Sequence, residues 1–204
     1  MGLYSRYVLP RVIDLAMRNQ ETTRLRAAWI PQARGDVLEI GIGSGLNLSF
    51  YSAQVKRVFG VDPSLELQQM AKKRAGGNVA VEFLSQSAEQ DLPLPDESID
   101  TIVMTWTLCS IPSPDLALRK MRRVLKQDGQ LLFIEHGLSR DSGVVAWQNR
   151  LTPAWKHIAG GCHLNRKIDD LIASAGFQVR ELNAFYIVGP RPMTFTYQGL
   201  ARLL

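Results

Sequence analysis

Cysteine is nearly absent from this 204-residue chain: Cys109 and Cys162 are the only two. Two thiols cannot build a disulfide scaffold, and neither has a second cysteine at finger or ribbon spacing, so both are expected to be free. Long apolar runs are missing as well. No stretch reaches the roughly 18 to 20 apolar residues that cross a bilayer, and MGLYSRYVLPRV lacks the unbroken apolar run of a signal peptide, which points to a cytoplasmic protein. Charge is sparse at 21%, against 46% hydrophobic residues, a balance that excludes wholesale disorder and supplies one sizeable core. Repeats and low-complexity tracts are also absent, and the length suits a single domain over residues 1–204.

A basic stripe with interleaved aromatics is lacking too. The net charge of +5 is uneven, with residues 1–34 and 101–204 basic and residues 35–100 acidic. The densest basic cluster, Arg119-Lys120 with Arg122-Arg123, alternates with Leu116, Met121, Val124 and Leu125 at helical spacing. That is a solvated helix face, and no nucleic-acid partner is expected. A weak attraction of the basic N-terminal segment to anionic lipid stays open, as does the oligomeric state.

What is present is an alternation of short apolar runs with helical stretches, the pattern of a doubly wound α/β sheet. Strands are expected at Val37–Ile40, Arg57–Val61, Val79–Phe83, Asp100–Met104 and Gln130–Ile134. Ser64 and Pro114-Asp115 open helices, Asp128-Gly129 closes one, and Asn165 caps another. The runs Phe177–Phe185 and Met193–Ala201 flank Gly189-Pro190-Arg191-Pro192 and should form a terminal antiparallel hairpin over 177–204. Around the core of 35–136 lie an N-terminal helical segment, 1–34, and a lid insertion, 137–176. Pro10 starts a helix with Val12, Ile13, Leu15, Ala16 and Met17 as its apolar face, and Trp147, Leu151 and Trp155 form another in the lid.

After the first strand comes Glu39-Ile40-Gly41-Ile42-Gly43-Ser44-Gly45, expected to turn into a helix near Leu46. Glycines at alternate positions let backbone approach a ligand closely. The spacing is G-x-G-x-G, with Leu46 where the dinucleotide fingerprint has its third glycine. Glu39 before the glycines would repel a pyrophosphate and suits a ligand with a cationic amine. Asp62 closes the second strand, 21 residues past Gly41, where a carboxylate accepts hydrogen bonds from both ribose hydroxyls.

These motifs, followed by Gly60-Val61-Asp62-Pro63-Ser64, Ser87-Ala88-Glu89-Gln90-Asp91-Leu92-Pro93 and Ser98-Ile99-Asp100, resemble the class I S-adenosylmethionine-dependent methyltransferases over residues 36–136. The resemblance implies a seven-stranded sheet with its last strand antiparallel and S-adenosylmethionine as cofactor. It places Glu39 near the methionine end, Gly41, Gly43 and Gly45 beneath the cofactor with Asn47 beside them, Asp62 and Pro63 at the ribose, Ser87, Ala88 and Glu89 at the adenine, and Thr105 near the methionine moiety. Glu135-His136, Trp147-Gln148, Pro153-Ala154-Trp155, Gly161-Cys162, Leu164 and Arg166 narrow the likeness to the branch holding the animal alkyl-thiol S-methyltransferases and bacterial phospholipid or quinone methyltransferases. The chain is expected to differ from the animal enzymes in having no hydrophobic N-terminal anchor, and it carries Lys156 where they have His, with His157 one place later.

Methyl transfer is mostly a matter of alignment behind a sulfonium methyl, because the leaving group is already good. A thiol acceptor is favoured, since at a reference pKa near 8.5 a few per cent is already thiolate at pH 7. His136, directly after the fifth strand, is the candidate base. Glu135 is read as its orienter or as a helix cap. Tyr7, Trp106, Cys109, Trp147, Trp155, His163 and Arg166 are the candidate acceptor contacts for a small, largely apolar molecule. No metal is expected: His157, Cys162 and His163 approach ligand spacing but lack a fourth ligand. Phospholipid amines and quinone precursors are the rival acceptors, a nucleotide-dependent oxidoreductase the rival enzyme, and a cofactor-binding regulatory module the non-enzyme alternative.

Overall fold

The computed structural model describes residues 4–77 and 79–204. In chain order the elements are α1 (Leu9–Ala16), α2 (Gln20–Trp29), β1 (Gly35–Ile40), β2 (Val55–Val61), α3 (Leu65–Arg74), β3 (Ala80–Leu84), β4 (Ile99–Thr105), α4 (Pro114–Val124), β5 (Leu125–His136), α5 (Ser142–Ile158), α6 (Ile168–Ser174), β6 (Phe177–Tyr186) and β7 (Phe195–Leu203). The seven strands form one sheet in the order β3-β2-β1-β4-β5-β7-β6. β3 through β5 run parallel, and β7 lies antiparallel to both β5 and β6. The central strands read as near-continuous apolar runs because helices cover both faces. Leu38, Ile40, Ile102, Met104, Leu131 and Phe133 pack into one buried cluster, and Val37, Val58, Val103, Leu132 and Ile134 into the other, as strand alternation dictates.

Local chemistry sets the boundaries. The Ser64 hydroxyl accepts the Leu67 amide at the start of α3, and Asn19 accepts the Thr22 amide at the start of α2. Pro114 opens α4, whose Ala117, Leu118, Met121 and Val124 are buried. Lys120 and Arg123 face outward to Asp91 and Asp96. Among the described residues, no helix is long and apolar enough to cross a membrane.

Several local expectations are corrected. Asp128-Gly129 does not end a helix: α4 stops at Val124 and β5 begins at once, so both residues are strand and Gly129 does not take the left-handed conformation. No α-helix follows the glycine loop; a single 3-10 turn, Leu48–Phe50, takes its place. The cap of α6 is Lys167, while Asn165 hydrogen-bonds Asn149 at 2.9 Å. The α1 face is split, with Val12 50% and Leu15 73% exposed while Ile13 and Met17 turn inward. In α5 the buried residues are Val144, Gln148 and Thr152. Gln148 reaches the Ser139 amide and the Gly137 and Pro192 carbonyls, which outweighs the apolar pattern that favoured Trp147.

Candidate active site

The order of the sheet reverses between β1 and β4, so the loops after these strands diverge and leave a crevice at their carboxyl ends. A cavity of about 450 Å³ occupies it, roofed by α1 on one side and by the turn after α5 on the other.

The floor at one end is the glycine loop. Gly41, Gly43 and Gly45 all have positive φ, at 69°, 53° and 79°. A Cβ at Gly41 would strike the Thr107 side chain at 2.2 Å, and one at Gly45 would press on Ala71 of α3, so these two serve packing. Gly43 differs. A Cβ there would meet nothing closer than the Gly41 carbonyl at 3.7 Å and would project into space left for a ligand. The loop is held by Asp62, whose Oδ2 accepts the Gly43 amide at 3.0 Å and whose Oδ1 accepts the Ser64 amide at 2.8 Å. Burial raises the Asp62 carboxyl above its ordinary value. Both oxygens keep lone pairs for ribose hydroxyls.

Beneath the loop lies a second buried carboxylate. Glu39 is 1% exposed and accepts from Asn47 at 2.9 Å and from Tyr51 at 2.7 Å. Burial pushes it up to about 7, against the pull of these donors and of Arg26. Asn47 also donates to Thr105. Arg26 donates to Asn47 at 3.1 Å and to the Met17 carbonyl at 2.8 Å, and its guanidinium lies 4.8 Å from the Trp106 ring centroid. Burial lowers it to about 10. Trp106 itself has φ of 52°, a strained setting of the kind that gathers at binding sites.

Sequence reading missed Arg26, Asp14 and Arg74. Asp14 of α1 pairs with Arg74 of α3 at 2.9 Å, and Arg74 also donates to the Ser44 carbonyl, so α1 is fastened to the glycine loop. Burial opposes the Asp14 charge, but Arg74, Ser44 and Arg18 together hold its carboxyl below the usual value. A buried-face charge within the first amphipathic helix was the available signal.

At the other end stand His136, Cys109 and Cys162. Glu135, fully buried and raised to about 7 by burial, accepts the Thr107 amide at 2.9 Å and the Cys109 amide at 3.3 Å. It therefore caps the turn after β4 and does not bond His136. His136 is 6% exposed; its Nδ1 lies 3.6 Å from Cys162 Sγ, and its Nε2 has no partner. The Cys109 thiol is pushed far up by Cys162 and burial, while Cys162 is lowered chiefly by Cys109. The Trp155 indole N–H, unpartnered by hydrogen-bond geometry, still lies close enough to favour the Cys162 thiolate.

The cavity brings together most of the expected residues: Glu39, Gly41, Gly43, Asn47, Asp62, Pro63, Ser87, Ala88, Thr105, Trp106, Cys109, His136 and Trp155. It does not include Gly45, Glu89, Tyr7, Trp147, His163 or Arg166. Glu89 accepts from Ser87 and the Ser113 amide. Tyr7 and Trp147 are exposed on the surface, at 46% and 56%. His163 turns back to the Gly161 carbonyl at 2.8 Å. Arg166 donates to the Leu108 and Ile111 carbonyls, which makes it a positioning residue for the wall.

This fold, with a glycine cradle at the switch point and acidic groups closing the first two strands, belongs to the S-adenosylmethionine-dependent methyltransferases. The chain is a member of that family: residues 38–133 match the family model described as a methyltransferase domain. S-adenosylmethionine is its cofactor, and the open Gly43 face and the paired buried carboxylates fit that molecule. Thiol S-methyltransferase TMT1B of Rattus norvegicus is 37% identical over 150 residues, 72% of this chain and 61% of that protein. The chain thus spans less than two thirds of that relative. Phosphatidylethanolamine N-methyltransferase of Cereibacter sphaeroides is 32% identical over 164 residues, 79% of either chain. The solved complex of the Haloferax volcanii Trm112 methyltransferase activator with a methyltransferase shares the fold, with a TM-score of 0.72 at 20% identity over 95% of this chain and 93% of that one.

Proposed function

We propose that the protein transfers the methyl group of S-adenosylmethionine to a small, largely apolar thiol. The carrying observation is the contrast between the two ends of the cavity. Asp14, Arg26, Glu39 and Asp62 all line the loop end, whereas the acceptor end is walled by Trp106, Ile111, Trp155, Leu164 and Met193 around Cys109, His136 and Cys162. Apolar side chains dominate that second end, and the acid behind it, Glu135, is already committed to the Thr107 and Cys109 amides, which favours a neutral thiol over an ammonium or amine headgroup that would have to shed its water. Asp62 would hold the ribose hydroxyls, Glu39 the amino group through its charge, and Arg26 the carboxylate of the methionine moiety.

His136, which lines the cavity, would take the proton of the acceptor thiol on its imidazole. S-adenosylmethionine, when bound, would supply an activated methyl group to the acceptor sulfur, and the residues of the cavity would serve to align the two. Proximity supplies most of the acceleration, and the base adds roughly 10²- to 10⁴-fold. The likeness to a phosphatidylethanolamine N-methyltransferase over most of both chains supports lipid amine as the second reading.

The test measures S-adenosylhomocysteine release with alkyl thiols, phosphatidylethanolamine vesicles and quinone precursors in parallel. Release with thiols alone supports the proposal; release with vesicles and none with thiols removes it. His136→Ala should slow thiol methylation more at pH 6 than at pH 9, where solvent supplies thiolate. An equal loss at both would assign His136 to positioning.

A further inference from the structure

Cys109, His136 and Cys162 meet inside the cavity from three separate elements, the turn after β4, the end of β5 and the turn after α5. We propose that they form a three-ligand site for Zn²⁺ or a similar thiophilic divalent cation, with the fourth position open to the cavity.

One ligand atom from each residue lies within 4.8 Å of the other two. A tetrahedral zinc with bonds of about 2.3 Å to sulfur and about 2.05 Å to nitrogen separates those ligand atoms by about 3.6 Å. Cys162 Sγ and His136 Nδ1 already stand 3.6 Å apart. His136 is 6% exposed and lines the cavity, and Nδ1 is the ring nitrogen that faces Cys162.

The cluster is built deliberately from the backbone. The His163 amide donates to the Cys109 carbonyl at 2.9 Å, and Gly161, at φ of 88°, sits so close to Ser110 that a Cβ would lie 3.0 Å from its carbonyl oxygen. Arg166 reaches across to the Leu108 and Ile111 carbonyls. These contacts press the Cys162 turn onto the Cys109 turn and bring together thiols 53 residues apart in sequence.

Two cysteines, a histidine and one vacant position are the donor set of zinc sites that activate a bound molecule, as opposed to closed structural sites. The use of the metal rests on the thiol reading given above; its binding does not. An acceptor thiol would release its proton to solvent and bind as thiolate at the open position, with His136 then a ligand in place of a base. That sulfur forms its bond to the methyl carbon as the sulfonium bond breaks, and the thioether, a poorer ligand, departs.

The test uses the whole chain, stripped with a chelator and kept under a phosphine reductant so that the thiols stay reduced. Titration with Zn²⁺ alone against a chromogenic chelator should show one tight equivalent. Cys162→Ser and His136→Gln should each weaken it at least tenfold, with circular dichroism and thermal melting confirming that both variants remain folded. Co²⁺ should give a thiolate charge-transfer band that changes when a small alkyl thiol is added. Wild-type protein that loses zinc to the competitor, or variants that hold it as tightly as wild type, would overturn the metal site; a cobalt spectrum indifferent to thiol would overturn its use on the acceptor. These measurements need neither cofactor nor turnover, so failure of the metal site and failure of the thiol reading are told apart by the S-adenosylhomocysteine assay.

Discussion

The two ends of the cavity are built on different principles. The loop end is a network of charges: Asp62 holds the Gly43 amide, Glu39 is bonded by Asn47 and Tyr51, and Arg26 ties Asn47 to the end of α1. The carboxylates and the guanidinium there are each held by neighbours, so the geometry is largely set before a ligand arrives. The acceptor end has apolar walls, two thiols and an imidazole, with the His136 and Trp155 ring nitrogens unpartnered. An invariant cofactor suits a rigid, presatisfied cradle, and an acceptor is selected by shape and by a few groups left unsatisfied.

Substitutions should separate the two ends. The largest effect is expected from Gly43→Val, which fills the space above the loop and puts a β-branched residue at φ of 53°; S-adenosylmethionine binding should become undetectable by calorimetry, with circular dichroism reporting separately on the fold. A variant that binds normally would move the cradle elsewhere. Next comes Asp62→Ala, which removes the acceptor of the Gly43 and Ser64 amides and of the ribose; cofactor affinity should fall by about 1 to 3 kcal/mol, with acceptor KM little changed.

A smaller effect is expected from pH. Glu39 sits near 7 when the site is empty, and a bound ammonium favours its charged form. The bound carboxyl therefore has the lower pKa, affinity is full above the empty-site value, and it declines as pH falls below it. Between pH 8 and pH 6 the loss should be about tenfold, and Glu39→Gln should flatten the profile. Trp155→Ala should raise acceptor KM and leave cofactor affinity intact. Trp147→Ala, 56% exposed and outside the cavity, should change stability by no more than about 0.5 kcal/mol and activity not at all. If Trp147 proved the more sensitive of the two tryptophans, the acceptor would have to lie outside the lid.

What could be read from the residues alone follows the same division. The strand positions and the G-x-G-x-G turn with Asp62 are local in sequence, and apolar period and glycine spacing announce them, whereas the seven-stranded sheet with its last strand antiparallel comes from the family resemblance. The Arg26 and Asp14 contacts are not, because a helical charge gives no hint of the carbonyl or carboxylate it meets 21 or 60 residues away. The absent helix after Gly45 shows the same limit: Leu46 to Phe50 have ordinary helical composition, but Asn47 and Tyr51 are recruited to Glu39 and the chain turns early. His157, Cys162 and His163 drew notice by proximity in sequence, whereas the cluster that forms joins Cys162 to Cys109 and His136 instead. Spacing along the chain reports neighbours within one element, and this group spans three.

The fastening of α1 has a consequence for the pace of the enzyme. Ile13, Asp14 and Met17 lie over the cofactor end of the cavity, and Asp14 is clasped by Arg74, whose other contact is the Ser44 carbonyl. A spent cofactor leaving on that side would pass beneath this clasp, and loosening it would widen the way out. Asp14→Asn, which removes the charge from this clasp, should hasten product departure even as it leaves the methyl-transfer step untouched.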